Sequence, residues 1–412
     1  MLGSNKGPEI CPASKGKVVC MRRTPIRIAL VGFCLLGVTS NARAQTVAAG
    51  LSALLTEQTP PPSGFERDRA AAEATFSTVA GLFTIELTSI PVASSAGGFV
   101  YRFSPTLGTV ERSSDSFGPF FTERALRNGK QQFSVGLTYQ FANFKTLQGA
   151  DLTAGTFPTN AARFANQLQP FSVDTLSLDL EVKTVTAFAS YGVTDRLDVG
   201  VVAPITQLHF SGHRVNTFQG TSTLQSAQSR SASGLGDLLV NARYRVRESG
   251  RNGVAIGSDL RLPTGEKADL LGTGKAAWRL LGIGSWEFAP VTADVNGGFG
   301  VGGVSRELFW AGAVTFAATP KVSLVGELMG RRLSNLTRVS DVYQPHPVLA
   351  NIETMRWLPT GGGLHTLYLA TGAKVNVYGR WLLKANVLTR LTETGLRARF
   401  TPAIALDYAR EF

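Results

Sequence analysis

The sequence predicts an all-β fold: a transmembrane antiparallel β-barrel of about twelve strands, preceded by a partly helical segment. Three observations predict it. Downstream of Lys130 apolar side chains recur at every second position in run after run, the connectors between runs alternate between short and long, and the faces opposite the apolar ones carry charges. A helical membrane protein is excluded, because the longest apolar run, residues 28–38, falls short of the roughly 20 residues a spanning helix needs.

Residues 1–44 read as a leader. A basic stretch, residues 21–27, precedes the apolar core, and Ala42-Arg43-Ala44 has the small-x-small form of a secretory cleavage site between Ala44 and Gln45. The basic stretch and the apolar core both begin at or after Met21, so residues 1–20 add nothing to the signal and Met21 is the expected start. Cys34 sits in mid-core behind Phe33, the wrong context for lipidation. Cys11, Cys20 and Cys34 all precede Gln45, so the exported chain has no thiol for a disulfide, a metal site or redox chemistry. Without the leader, 34 basic and 28 acidic residues leave +6, too mild a charge to predict nucleic-acid binding.

Residues 45–130 form the next unit. Residues 46–58 precede a Pro60-Pro61-Pro62 break, and in residues 65–83 the apolar Phe76, Val79 and Phe83 recur at helical spacing. Residues 99–111, centred on Ser104-Pro105-Thr106-Leu107-Gly108, read as a hairpin. The unit fits either a plug inside the barrel or a periplasmic extension, and a hairpin inserted in the wall would raise the strand count to fourteen.

Residues 131–412 form the barrel. In the first run Phe133, Val135, Leu137, Tyr139 and Phe141 alternate with polar or small residues, and runs at 197–205, 238–246, 254–262, 278–288, 291–301 and 308–316 repeat the pattern. Stretches beginning at Val322, Leu367 and Trp381, with Ile404, Leu406 and Tyr408, complete the wall. The stretch 176–191 changes phase near Lys183, which predicts a bulge there. Short turns lie at 192–196, 249–253, 289–290, 319–321 and 378–380. Longer loops include 148–174, 212–233 and 334–363. Twelve strands with both barrel ends on the short-turn side match a bacterial outer-membrane barrel with periplasmic termini.

A soluble barrel would have to bury Arg243, Arg245, Asp259, Arg261, Arg279, Glu287, Asp294, Glu327, Lys374, Lys384 and Asp407, at several kcal/mol for each ion left dry. Trp286, Phe288, Phe316, Trp381 and Tyr408 near one end, with Trp278 and Trp310 near the other, form two aromatic girdles. The turn at 378–380 sets Lys374 opposite Lys384, a repulsive pair that Asp407 or Glu411 would offset. These charges fit a constriction favouring anions or a structural network, and Arg243 with Arg245 invites the same two readings. Twelve strands enclose too little space for a wide aqueous pore.

The segments Tyr191-Gly-Val-Thr-Asp-Arg-Leu-Asp-Val-Gly-Val-Val-Ala-Pro-Ile205, Gly234-Leu-Gly-Asp-Leu-Leu-Val-Asn-Ala-Arg-Tyr-Arg-Val246 and Asp259-Leu-Arg-Leu-Pro-Thr-Gly-Glu-Lys-Ala-Asp-Leu-Leu-Gly-Thr-Gly274 resemble a family of outer-membrane transporter-like proteins labelled for the meta-pathway of phenol degradation. The resemblance spans about residues 113–412. It implies passage of small, aromatic or other organic solutes, with outer-membrane lipid as surroundings, and no substrate residue carries over. Tyr408 and the terminal Phe412 resemble the signal read by the barrel-assembly machinery, although Arg410 interrupts the apolar alternation.

An enzyme is the rival class. Its imidazole bases would be His209, His213, His346 and His365, all at outer strand ends or in surface loops, and no Gly-x-Ser-x-Gly elbow is present. No catalytic, metal-binding or cofactor-binding residue is therefore assigned. The loop 264–274 lacks the Gly-Lys-Ser/Thr spacing of a phosphate cradle. Pro345-His346-Pro347 and Trp357 fit a ligand landing site or a rigid surface loop. A structural or adhesive barrel remains a third class.

Overall fold

Alternation of apolar and polar residues at a period of two lets a strand face lipid on one side and a polar lumen on the other. The computed structural model describes residues 46–59, 65–89, 98, 101–104, 109–112, 114–125, 129–334 and 339–411. The leader, Ala44 and Gln45 at the expected cleavage site, the proline break and Phe412 lie outside the described residues. Twelve strands make the wall: β1 (Gln132–Phe144), β2 (Ser172–Gly192), β3 (Leu197–Phe218), β4 (Leu238–Ser249), β5 (Asn252–Leu262), β6 (Ala277–Phe288), β7 (Val291–Gly302), β8 (Glu307–Thr319), β9 (Val322–Leu333), β10 (Leu364–Tyr378), β11 (Trp381–Arg390) and β12 (Phe400–Glu411). Each pairs antiparallel with the next, and β12 returns to β1 through Glu411↔Gln132 and Leu406↔Leu137, closing the ring. The predicted twelve-stranded antiparallel barrel is thus observed.

Residues 101–104 and 109–112 do pair as a hairpin, Ser104 opposite Thr109, but in a two-stranded sheet of their own, so the fourteen-strand alternative falls away. Helices α1 (Val47–Thr56) and α2 (Arg69–Ser89) precede it. Thr46 Oγ1 caps α1 by accepting the Ala49 N–H at 3.2 Å, and Asp68 Oδ1 caps α2 by accepting the Ala71 N–H at 2.9 Å. Among the described residues no helix is long and apolar enough to cross a membrane.

The bulge expected near Lys183 is absent. Strand β2 pairs with β1 and β3 with no register shift. What changes is the environment of each face. Below Lys183 the outward Val185 and Tyr191 are exposed on the belt, whereas above it the inward Leu176, Leu178, Leu180 and Val182 are buried. The partner strand switches at the same height: Val199, Val201 and Ile205 point out, then Leu208 and Phe210 point in, and Lys183 pairs with Gln207 at the crossing. A phase change in apolar residues therefore marks where the outer surface stops being apolar, with the pleat intact.

The long loops expected at 148–174, 212–233 and 334–363 are largely strand. Phe157–Phe164, Thr221–Leu235, Val339–Pro345 and Ile352–Pro359 add to the extended β2 and β3 and form an upper storey beside the ring. Both helices pack against this sheet in a core that includes Leu51, Leu54, Leu55, Val79, Phe83, Leu178 and Phe210. The barrel ends at Gln132 and Glu411 lie on the short-turn side. Helix α1 lies on the other side, where the Val47 N–H donates to Asp269 Oδ1.

Candidate functional site

Residues 114–125 run through the short-turn half of the lumen with no secondary structure of their own, so their backbone groups must be satisfied by the wall. Glu327 on β9 takes three consecutive N–H groups. Its carboxylate accepts the backbone N–H groups of Phe120, Phe121 (3.0 Å) and Thr122 (2.8 Å), and the Thr122 hydroxyl at 2.9 Å. Lys374 on β10 donates to the carbonyls of Phe117 (3.3 Å) and Pro119 (2.5 Å). Ser285 takes the Ala125 N–H at 2.8 Å and donates to Asp294 Oδ1 at 2.5 Å. Asn296 binds Glu123 twice, accepting its N–H at 2.6 Å and donating to its carbonyl at 2.8 Å.

The register places Lys374 opposite Lys384. Lys384 is offset by Asp407, at 2.7 Å, while Lys374 is held by the carbonyls just named. Glu287 meets Arg251 at 2.8 Å, and Arg251 also meets Asp115. Arg245 sits at the short-turn rim, on Glu248 at 2.8 Å and the Asp195 carbonyl, away from the other predicted residues.

The opposite half of the lumen holds a second group. The end of α2 enters here, anchored by Glu86, which meets Arg390 at 2.8 Å and accepts the Tyr368 hydroxyl at 2.7 Å. Between α2 and residues 121–123 lies a cavity of about 230 Å³, lined on its charged side by Glu123, Arg243, Asp259, Arg261, Arg279, Glu307 and Arg331. Arg243 is sandwiched by Asp259 at 2.5 Å and Glu123 at 3.4 Å, and Arg279 pairs with Glu307 at 2.7 Å while lying over the Phe309 ring, 4.5 Å from its centroid. Ile85, Phe121, Leu281, Phe309 and Met329 supply the apolar side. Gly300 on β7 lines the space, and an added Cβ there would come within 2.9 Å of the Glu307 side chain.

Of the predicted residues, Arg243, Asp259, Arg261 and Arg279 are thus brought together at the cavity. Glu287, Asp294, Glu327, Lys374, Lys384 and Asp407 lie below it, around residues 114–125. Glu307, Phe309 and Arg331 were missed, though their inward parity on β8 and β9 was readable. Glu86 and Glu123 carry no periodic signal. Tyr408 packs outside the wall beside Trp381, ring centroids 4.9 Å apart. His346 is built into the upper storey, accepting the N–H groups of Val348 (3.2 Å) and Leu349 (3.0 Å), and His209 pairs with Ser231 at 2.7 Å. Trp357 is a packing residue, stacked on Phe157 with centroids 5.2 Å apart.

No protein-family model matches the chain, so the family resemblance of the three quoted segments stays unmatched at that level, and no curated protein matches it. Solved structures do. An outer-membrane channel from Pseudomonas putida F1 is 14% identical over 68% of this chain and 96% of its own, with a TM-score of 0.41. The toluene transporter TbuX of Ralstonia pickettii is 13% identical over 80% of this chain and 100% of its own, at 0.28. The monoaromatic hydrocarbon channel CymD is 9% identical over 69% and 89%, at 0.26. Overlap is low in each case, and the fold stands on the strand pairing described above.

Proposed function

We propose that the protein is an outer-membrane channel for small organic solutes, aromatic ones among them, and that residues 46–125 gate its lumen. The observation that carries this reading is a mixed apolar and charged cavity inside a closed barrel whose outside is an apolar belt. Leu137, Val201, Ile256, Val295, Val314 and Leu406 are exposed on that belt, between the girdles of Trp286, Phe288 and Trp381 and of Trp278 and Trp310. An apolar surface that runs round the whole wall between two aromatic girdles suits lipid. The lumen, by contrast, is lined with ion pairs that a solute can displace or slide past.

On this reading the short turns face the periplasm, the leader is removed after Ala44, and the barrel-assembly machinery inserts the chain by its Tyr408 and Phe412 end. Glu327 is the latch of the gate, since each hydrogen bond to its carboxylate contributes about 1.5–3 kcal/mol. In planar bilayers residues 45–412 should give a small single-channel conductance, and Glu327→Ala should raise it severalfold by freeing residues 120–122. Silence from both proteins, each migrating as a heat-modifiable folded barrel, would sink the channel mechanism.

A further inference from the structure

Four guanidinium groups line the cavity, those of Arg243, Arg261, Arg279 and Arg331, and three of them have a carboxylate within 4.0 Å. Arg243 and Arg279 each hold carboxylates, but Arg261 forms no ion pair among the described residues, and its Nη1 donates to the Thr88 carbonyl at the end of α2. A guanidinium carries five donors in a planar fork, so one carbonyl leaves most of its capacity unused. The same cavity has an apolar side at Leu281 and Phe309. The volume, about 230 Å³, is below the roughly 300–1,000 Å³ of clefts that take drug-sized ligands, and suits a single ring.

The site is also reachable. The β7–β8 connection is short, and its residues Gly302 to Ser305 line the cavity together with Trp278 and Trp310, whose rings lie on the outer face of the wall. The cavity therefore opens over a low rim at the aromatic girdle, on the side away from the upper storey. Whatever enters there crosses a boundary between water and apolar surface, and amphipathic molecules concentrate at such a boundary.

We infer that this cavity binds a small organic monoanion, its carboxylate on Arg261 and its apolar ring against Phe309 and Leu281. The inference deepens the channel reading and rests on it. Arg261 is the specificity residue, because a carboxylate accepts its fork bidentately and a neutral amide does not.

Benzoate and its neutral counterpart benzamide are the probes, titrated into the full mature protein in detergent by calorimetry. Wild type should bind benzoate about tenfold more tightly than benzamide. Arg261→Gln should erase the preference by weakening benzoate far more than benzamide, and Arg261→Lys should restore part of it. Heat-modifiable migration checks that each variant is folded, and a role limited to capping α2 would move both affinities together. Equal affinities in wild type, a preference that survives Arg261→Gln, or binding of neither probe would overturn the inference. Conductance is read separately on the same samples. A protein that conducts without charge preference overturns the anion seat alone, whereas one that binds benzoate by Arg261 and never conducts supports the seat and overturns the channel.

Discussion

Lys374 and Lys384 face each other on neighbouring strands in the buried lower lumen, and they are held by different means. Lys384 has a carboxylate, Asp407, whereas Lys374 donates to the carbonyl oxygens of residues 117 and 119 and lies over the Phe120 ring. Removing one member of a buried pair strands the other charge, at about 3–5 kcal/mol, while replacing both by apolar groups is often neutral. Asp407→Asn should therefore lower the temperature at which the folded band is lost in a heat-modifiability assay. The double variant Lys384→Met, Asp407→Leu should recover most of the loss. The pairing itself was legible from the 378–380 turn, because hairpin geometry fixes register. That Asp407 would pair directly with Lys384 while Lys374 turns to carbonyls was not, since the choice depends on where residues 117–119 lie.

At the scale of elements, the upper storey is held as a soluble domain is held. Leu54, fully buried, packs among apolar side chains from both helices and the extended β2 and β3. Leu54→Ala should cost about 2–5 kcal/mol there. The loss should appear as faster proteolysis within residues 46–89, with the barrel band unchanged, because the wall carries its own ladder. Strands in this storey were missed as loops for a definite reason. Their apolar faces point to helices supplied from elsewhere in the chain, so alternation there is short and changes side relative to the wall. The phase change at Lys183 was a true signal given the wrong cause, a bulge where the surroundings had changed.

For the whole molecule, the crossing at Lys183 and Gln207 marks the edge of the apolar belt. Val201 and Gln207 both point outward on β3, on opposite sides of the expected boundary. Val201→Lys should impair assembly into lipid vesicles, at a cost of about 2–4 kcal/mol near mid-belt, and Gln207→Lys should cost about 0–1 kcal/mol. Equal effects at both positions would remove the boundary drawn here. The N-terminal chain joins the two halves of the molecule, starting at the long-connection end with α1 and reaching the short-turn end before β1 begins.

The sequence by itself determined the ring: twelve strands, the lumen-facing charges, the girdles and the lysine pair. A wall between lipid and a polar interior imposes one rule at every second residue, and such a rule is written locally. Only the tertiary structure decided how the lumen is filled. Residues 114–125 are held largely through backbone N–H and carbonyl groups, which residue types offer alike save for the N–H that proline lacks, so no side-chain pattern records that Glu327 and Lys374 would take them. The cavity arises in the same way, as the space left between α2, residues 121–123 and a glycine-bearing strand, and that Arg261 forms no ion pair among the described residues became visible only when the carboxylates around it had found other partners.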